Sequence, residues 1–219
     1  MTAPPRPLRA VLLDWDGTIV DSAEASYRCY ARLFDTYGIP FDRVRFGTTY
    51  SPAWYRTYEA LGLPRESWEE ADNRWLEFYA EEDSVCLDGV RDALARLRHA
   101  GIALGIVTSG ERQRVRRELL GLGLAPLFPV VVAADDVRKR KPDPEPLVLG
   151  LQRMGVAAAE SAYVGDSPED IEMARAAGVY AVGVPGPFPN QEALRASAPD
   201  ILCGSLAEAA DALLASGRD

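Results

Sequence analysis

Histidine and cysteine are scarce in this chain: one and three, respectively, in 219 positions. The single histidine, His99, lies in Leu97-Arg98-His99-Ala100-Gly101, where Gly101 reads as the residue after a helix end. A cation at a helix C-terminus is mildly stabilising, so His99 is accounted for, and Ser-His-Asp or Cys-His catalysis has no histidine to use. Cys29, Cys86 and Cys203 are odd in number and widely spaced, which gives neither a zinc pattern nor a disulfide framework. They read as small apolar residues. Long apolar runs are also lacking. The run after the Pro-rich stretch Met1–Pro7 is too short for a signal peptide or a membrane span, so the expectation is a cytoplasmic, reduced protein. Positive charge is in deficit, 24 Lys and Arg against 33 Asp and Glu, for a net charge of -9. Such a balance argues against coating nucleic acid or anionic membrane. A small anionic substrate stays open, because a local cation reverses the field inside a site. Any catalysis must run on carboxylates, hydroxyls, lysine or metal.

What is present is ordinary globular material, 47% hydrophobic and 26% charged, in a length that suits one sizeable domain or one domain with an insertion. From Leu87 onward helix and strand patterns alternate. Helical spacing over 90–100 precedes the apolar run 102–107. The charged amphipathic stretch 111–120 precedes the β-branched run 129–133. Helical spacing over 144–154 precedes strand 162–164, helix 168–177 and strand 180–184. A short edge strand at 201–202 and an Ala-rich helix over 206–215 close the chain. Alternation of this kind predicts a parallel sheet with helices on both faces. Residues 22–84 break the rhythm: they are rich in helix formers and aromatics, with Tyr27, Tyr30 and Phe34 at helical spacing. Asp21 followed by Glu24 reads as a capping box. The expected architecture is α/β, a three-layer core with a parallel sheet (residues 1–21 and 85–219) carrying an inserted all-helical subdomain (22–84).

Polar residues stand at the strand ends. Asp14 and Asp16 follow Val11-Leu12-Leu13, Thr108-Ser109-Gly110 follow Ile106-Val107, Arg138 to Pro144 lie beyond the third strand, and Gly165-Asp166 to Asp170 end the fourth. In open α/β sheets, ligands bind just beyond the carboxyl ends of the strands. Taken together these residues supply carboxylates, a hydroxyl, backbone donors and a lysine, an inventory that suits a phosphoryl group and a divalent cation. Two unit charges ~4 Å apart repel by about 4 kcal/mol at an effective dielectric of about 20, and a phosphate dianion roughly doubles that. Mg²⁺ takes carboxylate and phosphate oxygens together, and Lys141 offsets more of the charge.

Asp14-Trp15-Asp16-Gly17-Thr18 resembles the first motif of the haloacid dehalogenase-like superfamily. Thr108-Ser109, Lys141-Pro142 with Pro144, and Gly165-Asp166 with Asp170 match its second, third and fourth motifs in order. The resemblance implies a Rossmann-like core with a mobile helical cap inserted after the first motif, where residues 22–84 fall. It also implies roles: Asp14 as nucleophile, Asp16 as general acid and base, Thr108, Ser109 and Lys141 binding the phosphoryl group, Asp14, Asp166 and the Asp16 carbonyl on Mg²⁺, and Asp170 in support. An acid at position 16 points to phosphate esters rather than halide or phosphonate chemistry, and Gly17-Thr18-Ile19-Val20-Asp21-Ser22 is similar to phosphoglycolate phosphatase-like members.

The reading is therefore a Mg²⁺-dependent phosphatase, monomer or homodimer, acting on a small phosphorylated metabolite such as phosphoglycolate or a sugar phosphate. A sugar phosphomutase of the same superfamily is the alternative. A receiver-like signalling module is more remote, because receivers lack a helical insertion after the first acidic strand. A dinucleotide-binding domain is remoter still, since no Gly-x-Gly-x-x-Gly follows the first strand. Substrate choice is expected in the cap, with 45–50 as a loop facing the pocket and Arg45 and Thr48 as its candidate contacts.

Overall fold

The computed structural model describes residues 4–215; the first three residues of the Pro-rich start and the last four of the chain lie outside the described residues. Six strands form one parallel sheet: β1 (Ala10–Leu13), β2 (Ala103–Val107), β3 (Val130–Val132), β4 (Ser161–Gly165), β5 (Tyr180–Gly183) and β6 (Ile201–Leu202). Their spatial order is β3-β2-β1-β4-β5-β6, so the strand order reverses between β1 and β4. All four residues of β1 are fully buried, as its unbroken apolar run requires of a strand covered on both faces. Val11 and Leu13 join a core with α5 (Val90–His99), α6 (Arg112–Gly121) and α10 (Leu206–Ala215). Ala10 and Leu12, half a period away, join a second core with α7 (Glu145–Met154), α8 (Pro168–Ala176) and α9 (Gln191–Ala196). Helix α7 packs close to the sheet at Gly150, where a Cβ would lie 2.8 Å from Leu12 Cδ2 and 3.1 Å from Val107 Cγ2.

Between β1 and α5 there are only helices among the described residues: α1 (Ala23–Thr36), α2 (Arg43–Thr49), α3 (Trp54–Ala60) and α4 (Trp68–Tyr79), with one 3-10 turn. Their shared core is aromatic, built on Tyr30, Phe34, Phe46 and Tyr58 with Leu33 and Leu63. Phe188, from the loop after β5, joins it and stacks on Tyr50 with ring centroids 4.5 Å apart. The two connections to the sheet run side by side: Asp21 N–H donates to Val85 C=O (2.9 Å) and Leu87 N–H to Ile19 C=O (3.0 Å).

Two local expectations are corrected. Residues 45–50 do not form a loop. Asp42 caps α2 by accepting from Arg45 N–H (2.8 Å), and the helix runs through Thr49 with Phe46 buried beneath it. The capping box at Asp21 and Glu24 does not form: α1 starts after Ser22 without a side-chain cap, and Glu24 is drawn instead into a two-pronged pair with Arg43 (2.8 and 2.9 Å). Of the cysteines, all free, Cys29 and Cys203 are buried and Cys86 is half-buried.

Because Leu12 fills the contact between β1 and α7, Leu12→Ala is expected to cost about 2–5 kcal/mol of unfolding free energy in a denaturant titration. A loss under about 1 kcal/mol would show that this face of the sheet repacks freely.

Candidate active site

The point where the strand order reverses is where the side chains converge. Asp14 follows β1, Thr108 follows β2 and Asp166 follows β4, all buried. Lys141 comes from the segment between β3 and α7 and is buried with them. Its ammonium donates to Asp14 Oδ1 and to Asp170 Oδ1, each at 2.7 Å. Lys139, two residues away, is exposed and pairs with Asp143 at 3.4 Å. Thr108 Oγ1 accepts from Gly110 N–H (3.0 Å), which folds the turn carrying Ser109 over the strand end.

Asp170 is locked from both sides. Its Oδ2 accepts from Ser167 N–H (3.1 Å) and Ser167 Oγ–H (2.7 Å), closing the capping box that starts α8. Its Oδ1 holds Lys141, with the Tyr163 hydroxyl 3.2 Å away. Asp170 is thus a brace for Lys141 rather than an open ligand.

Asp14, Asp166 and Asp170 offer carboxylate oxygens within 4.8 Å of one another. Asp166 Oδ2 is buried without a hydrogen-bond partner. Gly17, at φ +79°, leaves the space beside it open: a Cβ there would lie 2.3 Å from Asp166 Oδ2. Burial pushes the Asp14 carboxyl up to about 7, against the pull of Lys141. Asp166 is raised well above the usual range, by burial first and then by Asp14 and Asp170. Crowded, buried oxygen donors with one oxygen unpaired fit a hard divalent cation such as Mg²⁺. Burial alone would lower Lys141, but its two carboxylates outweigh this and keep it charged.

Asp16 faces elsewhere. Its carboxylate is held by both guanidinium nitrogens of Arg114, one at 3.0 Å, and Arg114 also reaches Glu118 at 3.2 and 3.3 Å. Burial would raise Asp16; Arg114 outweighs it and holds the carboxyl below its ordinary 3.8. The Arg114 guanidinium lies 4.9 Å from the Tyr79 ring centre, at the end of α4. The sequence reading passed over Arg114. The signal was available: Arg114 and Glu118 fall on the same helical face as Val115 and Leu119, all four buried, and a charged i,i+4 pair on a buried face must neutralise something besides itself.

One cavity joins the strand ends to the helical segment. Asp14, Asp16, Thr108, Ser109, Lys141 and Asp166 line one side, and Tyr30, Tyr50, Trp54, Tyr58, Asp72 and Trp75 the other. Arg45 and Thr48 do not line it. Arg45 is exposed and donates to the Pro40 carbonyl (2.6 Å), while the Thr48 hydroxyl bonds back to Val44 C=O (3.1 Å) in its own helix. The turn into α3, not α2, borders the cavity, through Tyr50, Ser51 and Pro52.

A family model for haloacid dehalogenase-like hydrolases matches residues 11–184. The chain is 38% identical over 233 residues to a phosphoglycolate phosphatase of Shigella boydii, covering 94% of this chain and 92% of that protein. It is 32% identical over 204 residues to the pyrophosphatase PpaX of Bacillus velezensis, covering 91% and 93%. Among solved structures, CbbY from Rhodobacter sphaeroides in complex with phosphate superposes with a TM-score of 0.75 at 26% identity, covering 92% of this chain and 96% of that one.

Arg114→Met leaves Glu118 and Asp16 without their cation and is expected to cost about 3–5 kcal/mol at pH 7. A depressed carboxyl stabilises the fold above its unfolded value and loses that contribution as pH falls through the folded one. The gap between the two proteins in denaturant midpoints should therefore narrow as pH drops below 3.8; a gap that widens there contradicts the pairing.

Proposed function

Because the chain belongs to the haloacid dehalogenase-like hydrolase family and is a phosphatase of that family, we propose that it hydrolyses a small phosphorylated metabolite with Mg²⁺ through an aspartyl-phosphate on Asp14. The observation that carries this reading is the meeting of Asp14, Lys141 and the unpaired Asp166 oxygen where the strand order reverses. No helix among the described residues is long and apolar enough to cross a membrane.

In the first half-reaction an Asp14 carboxylate oxygen bonds to phosphorus. The ester P–O bond breaks, and the leaving oxygen takes a proton from Asp16. In the second, a water oxygen bonds to phosphorus while Asp16 takes its proton, and the acyl P–O bond to Asp14 breaks. Arg114 favours the ionised form of Asp16, which suits proton acceptance in the second step and opposes proton donation in the first. Lys141 lies on Asp14 and offsets the charge that would repel a phosphate dianion. Thr108 and Ser109, with the amides of their turn, are read as binding the phosphoryl oxygens. Asp14 and Asp166, with the Asp16 carbonyl, would hold Mg²⁺, which supplies a Lewis acid polarising the phosphoryl oxygens. Residues 22–84 are read as a cap over the site, supported by the paired connections at 19–21 and 85–87 and by a cavity lined from both sides. Phosphoglycolate, pyrophosphate and sugar phosphates form the first substrate panel, the first two from the names of the Shigella and Bacillus relatives.

Asp14→Asn is expected to lower phosphate release by roughly a thousandfold or more while the circular dichroism stays that of the folded protein. Treatment with EDTA should abolish turnover and added Mg²⁺ restore it. Appreciable activity in either case overturns the mechanism. Conversion of a sugar 1-phosphate to its 6-phosphate with little free phosphate would replace the hydrolase with a phosphomutase.

A further inference from the structure

The helical half of the cavity is not built for an anionic leaving group. Asp72, on α4, lines it. Its Oδ2 accepts from the Tyr55 hydroxyl at 2.9 Å, and the Tyr58 hydroxyl and the Trp54 indole also favour its charged form, while its Oδ1 is buried without a well-aligned donor. A buried carboxylate oxygen without a donor is costly, and a ligand that brings one is favoured by that amount. Apart from Asp166, read above as a metal ligand, and Arg140, the other charges on the lining are already matched. Lys141 is spent on Asp14 and Asp170, and Arg114 on Asp16 and Glu118. Glu111 caps α6, and Asp135 accepts from Arg112 N–H. Arg140 is exposed and lies over the Trp54 ring at 4.6 Å; it acts on Asp72 only at range, and burial still pushes the Asp72 carboxyl above its usual value.

Around Asp72 stand the rings of Tyr30, Tyr58, Trp54 and Trp75. They do not form a parallel slot for a flat base. Tyr30 meets Tyr58 at 82° with centroids 6.5 Å apart, and Trp75 at 48° and 5.8 Å. Rings at such angles present faces in more than one direction, and an aromatic face beside a carboxylate attracts an ammonium group. The indole N–H of Trp75 is buried without an acceptor, so the ligand also carries an oxygen. The cavity, at about 200 Å³, falls below the roughly 300–1,000 Å³ of sites for drug-sized molecules and suits a small ligand.

We infer that the helical half of the cavity is a subsite for an ammonium-bearing leaving group, so that the preferred substrates are small phosphorylated amino alcohols, with Asp72 as the specificity-determining residue. This rests on the phosphatase reading of the same site. The substrate bonds are those of the reaction above; Asp72 takes no part in the chemistry and acts through charge.

The test compares three phosphomonoesters of nearly equal size in the full-length protein with Mg²⁺: phosphoethanolamine, ethyl phosphate and phosphoglycolate, which present a positive, a neutral and a negative end. The expected order of kcat/KM is phosphoethanolamine first, by about tenfold over ethyl phosphate, and phosphoglycolate last. Asp72→Asn should collapse the ratio between the first and last through KM rather than kcat. Hydrolysis of ethyl phosphate with equal or better hydrolysis of phosphoglycolate overturns the subsite and leaves the phosphatase standing. Hydrolysis of none of the three, nor of the wider panel, overturns both. The wild-type ratios decide the matter by themselves if the variant fails to fold.

Discussion

The structure turns on one buried lysine. Lys141 stands between Asp14 and Asp170, 2.7 Å from each, in a site that also contains Asp166. Its charge opposes the burial and mutual repulsion that raise Asp14 and Asp166. The surrounding architecture serves to bring that lysine in: the segment after β3 must return over the sheet, the Ser167 capping box must fix Asp170, and Gly17 must leave room for Asp166. The site is therefore a balance of charge before it is a set of catalytic roles.

A second balance, of the same kind and next to the first, governs Asp16. Two acids separated by one residue at the end of β1 are given opposite surroundings. Asp14 lies among other acids and is pushed up, and Asp16 lies on a guanidinium and is pushed down. A nucleophile works ionised and a proton donor protonated, so these surroundings run against both roles proposed for the pair, and a cation held on Asp14 would return it to the ionised form. The sequence spacing gives the pair; only the contacts from α6 tell them apart.

Much of the core was legible in the chain. Strands β1, β2 and β4 are short apolar runs ended by Asp or Thr, and parallel strands covered on both faces read that way because neither face meets water. The acidic and lysine motifs fall at strand ends, so their convergence follows from the sheet. The helical segment was legible as helical, because nothing in 22–84 is β-branched in runs, but not in its orientation. The stretch 45–50 looks like a loop for its Gly47 and two threonines; Asp42 and Phe46 make it a helix, one capping and the other burying it. Which helical face meets the cavity depends on how four short helices pack on their aromatic side chains. That is a matter of tertiary contact with no periodic trace, so Asp72 was missed while Arg45 and Thr48 were favoured; Arg114, on α6, did leave a trace in its spacing with Glu118.

The adjoining connections at Ile19–Asp21 and Val85–Leu87 have a consequence for how such a protein can change. An excursion that departs and returns at neighbouring points leaves the closure of the parent sheet nearly indifferent to its length, since doubling a flexible loop costs only about 0.6 kcal/mol. With residues 22–84 acting as the cap proposed above, the aromatic helices are an exchangeable module on a fixed chemical base. Grafts, truncations or whole substitutions at these two crossings would alter which molecules are admitted while the strand tips beneath continue to hold their charges as before.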